Sequence, residues 1–416
     1  MSKRIYILSL LFILFIQVIQ GQSYRTESFS TRIQTLQVLH YENWEKAPII
    51  NLHSNEQIEI SFDLLGVSPE YFTYRIIHCD AEWTKSQLVE SEYMFGLQNN
   101  LINDYNNSFN TRMDYVNYKL KIPNDDVSLR VSGNYVVQVF TQTGSEPVLN
   151  ACFSVVEPSV SVDMKLSSIT DKGANSKYQA VSFDINYGNE VKSPIQDFKI
   201  YVQQNNRTDN QAKLVKPLRV QNGKAIYDHN PSLIFDAGNE YRSFEIITTL
   251  YAGMHVESLE YHAPYYHSIL SPDFPRNNRS YTFDNDINGK IYIRNKDAYD
   301  SNIEADYQFV HFYIPCDQPL VDDVYILSNA LHNILDDRSK MEFSYNDRGY
   351  VKTLFLKEGY YSYMYVTKKE GSELATTNII EGDFFQTENE YRVMIYSRTI
   401  GMRYDKLVGV ETLQSK

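Results

Sequence analysis

The residues best suited to chemistry lie close together in one stretch, YRIIHCDAEWTKSQLVESEYMFG, at positions 74–96. Six consecutive positions hold an imidazole, a thiol, two carboxyl groups and an indole, carried by His78, Cys79, Asp80, Glu82 and Trp83. Imidazole, thiolate and carboxylate groups bind zinc in proteins, and a histidine beside a carboxyl group can transfer protons. The stretch is therefore the first candidate for a metal or catalytic centre.

The local pattern argues against a metal ion at this cluster. The preceding residues, YFTYRIIHCD, predict a strand, and neighbouring side chains of a strand point to opposite faces. His78 and Cys79 therefore cannot easily ligate one tetrahedral ion. His78, Asp80 and Glu82 could share a face, but all three would come from one strand. Zinc sites usually recruit ligands from separated segments, so we predict no metal site here.

A strand end followed by a turn accounts for the same residues. Asp80, Thr84 and Ser86 carry the oxygens that cap backbone groups in turns, and Trp83 would pack at the edge of a core. The alternative is contact with a partner protein. The prediction is a structural signature or partner contact that comprises His78, Cys79, Asp80, Trp83 and Ser86.

Other sequence patterns that carry catalysis are missing. The sequence has no G-x-S-x-G elbow and no P-loop. The segment HVESLEYH, at 255–262, matches a zinc-protease motif in composition but not in spacing. The runs PNDD, at 123–126, and Asp322–Asp323 could bind calcium weakly, but neither has EF-hand spacing. We therefore predict that the protein is not an enzyme and has no catalytic, cofactor-binding or metal-binding residues.

The elements that must position these residues are predicted to be strands. Aromatic and β-branched residues favour strands, and several short segments rich in them end at Gly, Pro, Asn or Asp. These segments are NEQIEISFDLL, YVNYKLKIP, NYVVQVFTQ, QDFKIYVQQ, RSFEIITTLY, GKIYIRN, YQFVHFYIP and YVKTLFLKEG. The best candidate for a short helix is SNALHNILDD, at 328–337. The predicted fold class is all-β, with tandem immunoglobulin-like or early-set β-sandwich domains.

Two proline-containing segments suggest domain boundaries, VEPSV at 156–160 and HAPYYHSILSPDFPRNNRS at 262–280. They divide the chain into an N-terminal β-sandwich at 22–157, a middle β-sandwich at 158–268 and an early-set-like β-sandwich with terminal strands at 269–416. Each piece has an ordinary domain size.

The N-terminus predicts export. A basic head, an apolar run and a small residue at Gly21 are typical of a signal peptide at 1–21, cleaved just after Gly21. The net charge of −13 argues against binding to nucleic acid, which needs a basic face. Three cysteines, Cys79, Cys152 and Cys316, are too few for a disulfide framework. Cys79 and Cys152 could form one bridge in an oxidising compartment, or all three thiols could simply be buried.

An ordered series of motifs resembles the type IX secretion system plug proteins. The N-terminal third contributes IEISFDLL, YRIIHCDAEWTKSQL, EYMFG, INDYNNSFNTRMDYVNYKLKIPN and SGNYVVQVF, and the C-terminal part adds LKEGYYSYMYV and EGDFFQTENEYRVMIYSR. The series covers nearly the whole mature chain in order. The middle third carries the least recognisable pattern.

The resemblance implies a non-enzymatic periplasmic protein at the inner face of the outer membrane. It implies one main partner, the barrel subunit of the outer-membrane translocon, with membrane association only through that partner. One copy is expected per pore, which it would close when no substrate is being exported. No cofactor is implied.

Two alternatives to the plug remain open. Residues 322–366 also look like a glycogen-binding early-set module, which would make this a periplasmic or cell-surface carbohydrate-binding protein. The tryptophan typical of such modules is missing, because Leu331, His332 or Asn333 occupies its region. An outer-membrane barrel is disfavoured, since charges such as Lys352 and Lys357 interrupt both faces of one predicted strand.

Overall fold

β-Strands make up almost all the regular structure of the computed structural model, which describes residues 23–189, 191–221 and 223–415. The predicted all-β class with tandem β-sandwiches is confirmed. All the segments predicted as strands contain one. The predicted signal peptide, residues 1–21, lies outside the described residues.

The first sandwich contains the strands between residues 27 and 156. They are β1 (Glu27–Ser28), β2 (Ile33–His40), β3 (Ile49–Asn51), β4 (Ile58–Leu65), β5 (Phe72–Cys79), β6 (Met94–Gly96), β7 (Asn100–Leu101), β8 (Asp104–Asn107), β9 (Tyr115–Ile122), β10 (Val127–Leu129), β11 (Gly133–Thr141) and β12 (Leu149–Val156), with helix α1 (Glu90–Tyr93) after β5. One sheet has the order β1-β12-β11-β5-β7, and β3 joins it parallel to β12. The facing sheet has the order β2-β4-β9-β8.

Aromatic side chains fill the space between these two sheets. Phe62 of β4 stacks on Tyr118 of β9 at 5.1 Å, and Phe72 of β5 meets both rings edge-on. All three side chains are buried. Their removal from water is the main stabilising contribution of such a core, and the edge-to-face geometry adds to it.

The second sandwich begins directly after the first. Its strands in this part of the chain are β13 (Ser161–Ser167), β14 (Ile169–Thr170), β15 (Gly173–Ala174), β16 (Tyr178–Asn186), β17 (Phe198–Gln204), β18 (Ala212–Lys213), β19 (Arg219–Gln221), β20 (Lys224–Tyr227) and β21 (Ile234–Asp236), with helix α2 (Pro194–Asp197) and a 3-10 turn (Pro231–Leu233). One sheet has the order β13-β16-β20-β19, with β21 also paired to β16. Burial alternates strictly along β16, as expected of a strand with one face on a core.

The third sandwich is made of the next strands in the chain. They are β22 (Arg242–Ile246), β23 (Val256–His262), β24 (Tyr265–Leu270), β25 (Ile291–Ile293), β26 (Tyr307–Pro315), β27 (Asp323–Leu327), β28 (Glu342–Ser344), β29 (Gly349–Lys357), β30 (Gly359–Lys368) and β31 (Ala375–Thr376), with helix α3 (Ser301–Glu304) and a 3-10 turn (Asn329–Leu331). One sheet has the order β23-β24-β26-β29-β28, and the other is built around β30.

The last two strands return to the second sandwich. They are β32 (Glu390–Ser397) and β33 (Lys406–Gln414), and they complete a sheet of order β18-β17-β32-β33. The third sandwich is therefore inserted into the second. The predicted boundary at 268/269, with terminal strands on the C-terminal domain, differs from this topology. The proline at 264 does not mark a linker, because it lies in the tight hairpin between β23 and β24.

The predicted helix at 328–337 is wrong. Ser328 caps the backbone N–H of Ala330, but the helical turn ends at Leu331. His332 and Asn333 follow with φ of +55° and +54°, and this left-handed backbone stops a helix. The helices α1, α2 and α3 are short, and no helix among the described residues is long and apolar enough to cross a membrane.

Candidate functional site

The predicted strand end and turn is present after β5. Asp80 accepts a hydrogen bond from Trp83 N, and Thr84 O accepts one from Asp80 N, each at 2.9 Å. Trp83 has φ of +61°, a left-handed conformation that a bulky residue rarely adopts. The turn reverses the chain so that Ser86 comes back beside β5.

His78 is buried, and both of its ring nitrogens are occupied. Nδ1 lies 2.8 Å from Ser86 Oγ, and Nε2 lies 3.1 Å from the carbonyl oxygen of Ser132. A carbonyl can only accept, so Nε2 donates and Nδ1 accepts from the serine hydroxyl. Burial lowers the pKa of His78 to about 4. The ring is therefore neutral at physiological pH and has no nitrogen free for a metal.

Cys79 points to the other side of β5 and is also buried. Burial raises the pKa of its thiol to about 12, so it is not a nucleophilic thiolate at neutral pH. Cys79, Cys152 and Cys316 are all free, and the disulfide considered between Cys79 and Cys152 is not formed.

Asp80 connects the turn to the second sandwich. Its Oδ1 accepts from the backbone N–H of Asp405 at 2.9 Å, and its Oδ2 lies 3.3 Å from Arg398. In return, the Asp405 carboxylate accepts from Ala81 N at 3.0 Å. Burial raises the pKa of Asp80, and the neighbouring Asp405 charge adds to this change. The hydrogen bond from the Asp405 backbone and, to a smaller extent, Arg398 oppose it.

Glu82 and the apolar residues around it extend the same contact. The Glu82 carboxylate accepts from Tyr201 OH at 2.8 Å and lies 3.2 Å from Lys199 Nζ. Lys199 also lies 2.9 Å from Asp405. A small buried apolar cluster lies beside these polar contacts, made of Ala81, Val156, Tyr201, Met394, Tyr396 and Leu407. We call the contact of residues 78–86 with Lys199, Tyr201, Arg398 and Asp405 the first junction.

A second junction joins the first sandwich to the third. Lys357 Nζ lies 2.5 Å from Asp63 Oδ2, and each side chain is only 1% exposed. The same carboxylate accepts from Tyr307 OH at 2.6 Å and from Asn117 Nδ2 at 2.7 Å. The Lys357 ammonium also lies 4.1 Å above the Tyr115 ring. Every partner of the buried carboxylate is therefore a donor, which is what a buried charge requires.

A cavity of about 960 Å³ lies where the three sandwiches meet. Its lining includes the half-buried Trp83 from the turn, Tyr201 from the second sandwich and His332 from the third. Both polar and apolar side chains line it, with Arg392 and Lys290 among the charged ones. The turn at 80–83 thus also closes one wall of this central space.

The first sandwich also exposes apolar side chains near α1 and β6. Val89, Phe95 and Leu97 are 60%, 73% and 77% exposed. Large apolar groups grouped on a surface often mark a contact with another protein. We refer to residues 89–97 as the apolar segment.

The comparisons with known proteins agree with this architecture. A protein-family model, described as "Type 9 secretion system plug protein 1st domain", matches residues 33–157, which span β2 to β12. Residues 33–157 belong to the first-domain family of type IX secretion system plug proteins. This match confirms the resemblance predicted from the ordered motifs. It indicates a role connected with type IX secretion and a location in the cell envelope.

A solved structure is similar to the chain over nearly its full length. It is the crystal structure of a hypothetical protein from Parabacteroides merdae ATCC 43184, at 42% sequence identity and a TM-score of 0.93. The similarity covers 95% of this chain and 100% of that one. No curated protein matches the chain.

The matched range contains every residue of the predicted signature, and the structure brings some of them together. His78 and Ser86 contact each other, and Asp80 contacts Asp405 across the first junction. Cys79 is buried on the face of β5 opposite His78, and Trp83 lines the central cavity. Sequence reasoning missed the partners of the signature. Lys199 and Asp405 lie more than a hundred residues away, and no local pattern links them to Glu82 or Ala81.

Proposed function

We propose that the protein is a non-enzymatic periplasmic plug that binds the periplasmic opening of the type IX outer-membrane translocon barrel. It closes the pore when no substrate is being exported. The observation that carries this proposal is the family match across the first sandwich. The partner is the translocon barrel, and the protein reaches the membrane only through it.

The three sandwiches suit a steric mechanism. Each one contacts the other two: the first junction joins the first and second, and the second junction joins the first and third. Arg207 of the second sandwich donates to the carbonyl of Ala375 in the third at 3.1 Å. A body whose parts are interlocked by buried polar contacts can block an opening without rearranging first.

The apolar segment is the best candidate for the centre of the contact. A stable protein interface buries about 1,200 Å² or more, and a few apolar or aromatic anchors carry most of the binding energy. Phe95 and Leu97 are suitable anchors, because they are exposed and lie within the matched domain. The barrel opening would surround them with further polar contacts.

Affinity capture tests the proposal. A C-terminally tagged chain, in gently solubilised outer membranes, is expected to retain a very large barrel subunit. The double variant F95D/L97D should retain at least tenfold less, because two charges would have to be desolvated in the contact.

The matched control is V321D/Y345D on the third sandwich, where the side chains are 103% and 77% exposed. This variant should retain the barrel as the unchanged protein does, and circular dichroism should show both variants folded. Equal capture by both variants would overturn the role of the apolar segment. Capture of no barrel by the unchanged protein, with binding to glycan beads instead, would overturn the plug and favour a carbohydrate-binding protein.

A further inference from the structure

The loop before β25 has the sequence Asp284-Asn285-Asp286-Ile287-Asn288-Gly289. This is the D-x-D-x-N-G spacing with which EF-hand-type loops begin, and which the acidic runs at 123–126 and 322–323 lack. In such loops the first, third and fifth side chains supply oxygen ligands, and the sixth residue is glycine for a sharp turn. Gly289 has φ of +79°, and a Cβ there would lie 2.7 Å from the Tyr241 ring. Glycine is therefore required at the sixth position.

Tertiary structure brings two more carboxyl groups to this loop. Glu240 lies where the chain enters the third sandwich, and Glu388 lies where it leaves. A cavity of about 130 Å³ lies between these segments, and its lining is almost entirely polar: Glu240, Asp284, Asn285, Asp286, Asn288, Glu388 and Gln414. We call it the acidic pocket. None of these lining residues carries a positive charge.

The oxygens of the acidic pocket are not all satisfied by the protein. Asp286 accepts from the backbone N–H groups of Tyr241 and Asn288, the second at 2.6 Å. Glu240 accepts from Tyr281 OH at 2.5 Å and from Glu388 N at 3.1 Å. The side-chain oxygen of Asn288, however, is fully buried and has no hydrogen-bond partner among the described residues. A buried acceptor without a donor is costly, and a cation would satisfy it.

The acidic pocket also gathers four carboxyl groups, those of Glu240, Asp284, Asp286 and Glu388, around one small polar cavity. Like charges held together without a cation are unfavourable.

We propose that the acidic pocket binds a calcium ion through Asp284, Asp286 and Asn288, completed by Glu240 or Glu388. Among the described residues, no three His, Cys, Asp or Glu side chains are already close enough together to hold a metal ion. Asp284 and Glu388 are exposed, so their side chains are free to turn inward, and calcium accepts amide oxygens beside carboxylates. The twelfth loop position is Asn295, so the bidentate carboxylate comes from one of the glutamates.

Calcium in this pocket ties together the two crossings between the second and third sandwiches. The chain enters the third sandwich through the segment that contains Glu240 and leaves it through the segment that contains Glu388. The ion therefore stabilises the inserted third sandwich on the second. This inference does not depend on binding to the translocon.

The test uses the full mature chain, first dialysed against EDTA and then titrated with CaCl2. Calorimetry should show one site per chain, and the midpoint of thermal unfolding should rise by several degrees. MgCl2 should have a much smaller effect, because magnesium demands a tighter octahedral site. No heat and no shift at millimolar CaCl2, with a folded protein, would overturn the proposal.

Two substitutions locate the site. Asp284→Asn changes an exposed side chain, so it should leave the fold intact and weaken calcium binding at least tenfold. Asp322→Asn, in the acidic run without EF-hand spacing, should bind calcium as the unchanged protein does. Calcium binding that is lost in the second variant and kept in the first would place the ion elsewhere and overturn the assignment.

Discussion

The two junctions of the first sandwich both hold charged groups between sandwiches, but they differ in how far those groups are exposed to solvent. The first junction, around residues 80–82, is partly open to solvent: the Lys199 side chain is 28% exposed and shares its charge between Glu82 and Asp405. The second junction encloses a single pair, Asp63 and Lys357, in which each side chain is 1% exposed.

This difference decides how much each contact matters. In the first junction the Asp405 side chain is buried, but it has several partners: without Lys199 it keeps the Ala81 N–H, and Arg398 lies 3.6 Å away. In a buried pair, water cannot solvate the charge that remains after one partner is removed. The loss of folding stability is therefore large even if the intact pair adds little. The second junction should therefore be far more sensitive to single substitutions than the first.

The largest effect is expected for Lys357→Met. It leaves the Asp63 carboxylate buried without its counter-ion and should lower the free energy of unfolding by about 3–5 kcal/mol. Urea denaturation measures this. The double variant D63L/K357M, which removes both charges, should recover most of the loss. If the single variant costs less than about 1 kcal/mol, the proposed contrast between the junctions is wrong.

An intermediate effect is expected from acid, which should act on the first junction through His78. His78 has a folded-state pKa of about 4 against an ordinary value of 6.5. Between pH 6.5 and 4 the imidazole is protonated in the unfolded chain but not in the folded chain. The stability that this group contributes is therefore fully present above pH 6.5 and is lost as the pH falls towards 4. The loss from this one group is on the order of 3 kcal/mol. Within the described part of the chain, the polar contacts of Asp63 and Lys357 include no histidine.

Denaturation of His78→Gln across pH 4–7 measures this contribution. The free energy of unfolding of this variant should depend less steeply on pH than that of the unchanged protein. Part of the slope should remain, because burial also lowers the pKa of His332 to about 4. The exposed His229→Gln is the control and should retain the full slope. An unchanged slope in His78→Gln would show that the imidazole does not titrate as its burial indicates.

The smallest effect is expected for Lys199→Met in the first junction. Asp405 keeps its hydrogen bond from Ala81 N, and Arg398 remains 3.6 Å from it, so the cost should be about 1 kcal/mol. Because Lys199 and Lys357 share no partner among the residues that the structure describes, K199M/K357M should show additive losses in urea denaturation. A cost for K199M comparable to that of K357M would remove the distinction between the junctions.

The sequence alone determined the local features of this protein. Alternating aromatic and β-branched residues predicted strands such as β9 and β26, because a pleated strand places every second side chain on the core. The residues after Cys79 predicted a turn, because Asp and Ser side chains satisfy backbone groups there. The order of motifs in the first sandwich was sufficient to recognise the family.

Only the tertiary structure decided which distant segments meet. Nothing near Ala81 indicates that its N–H donates to Asp405, and nothing in β32 and β33 indicates that they leave the third sandwich for β17. The acidic pocket likewise needs Glu240 and Glu388 beside a loop that neither adjoins in sequence. Side-chain periodicity reports which face of a strand is buried, whereas pairing between remote strands depends on how whole sandwiches pack, and that information is not local.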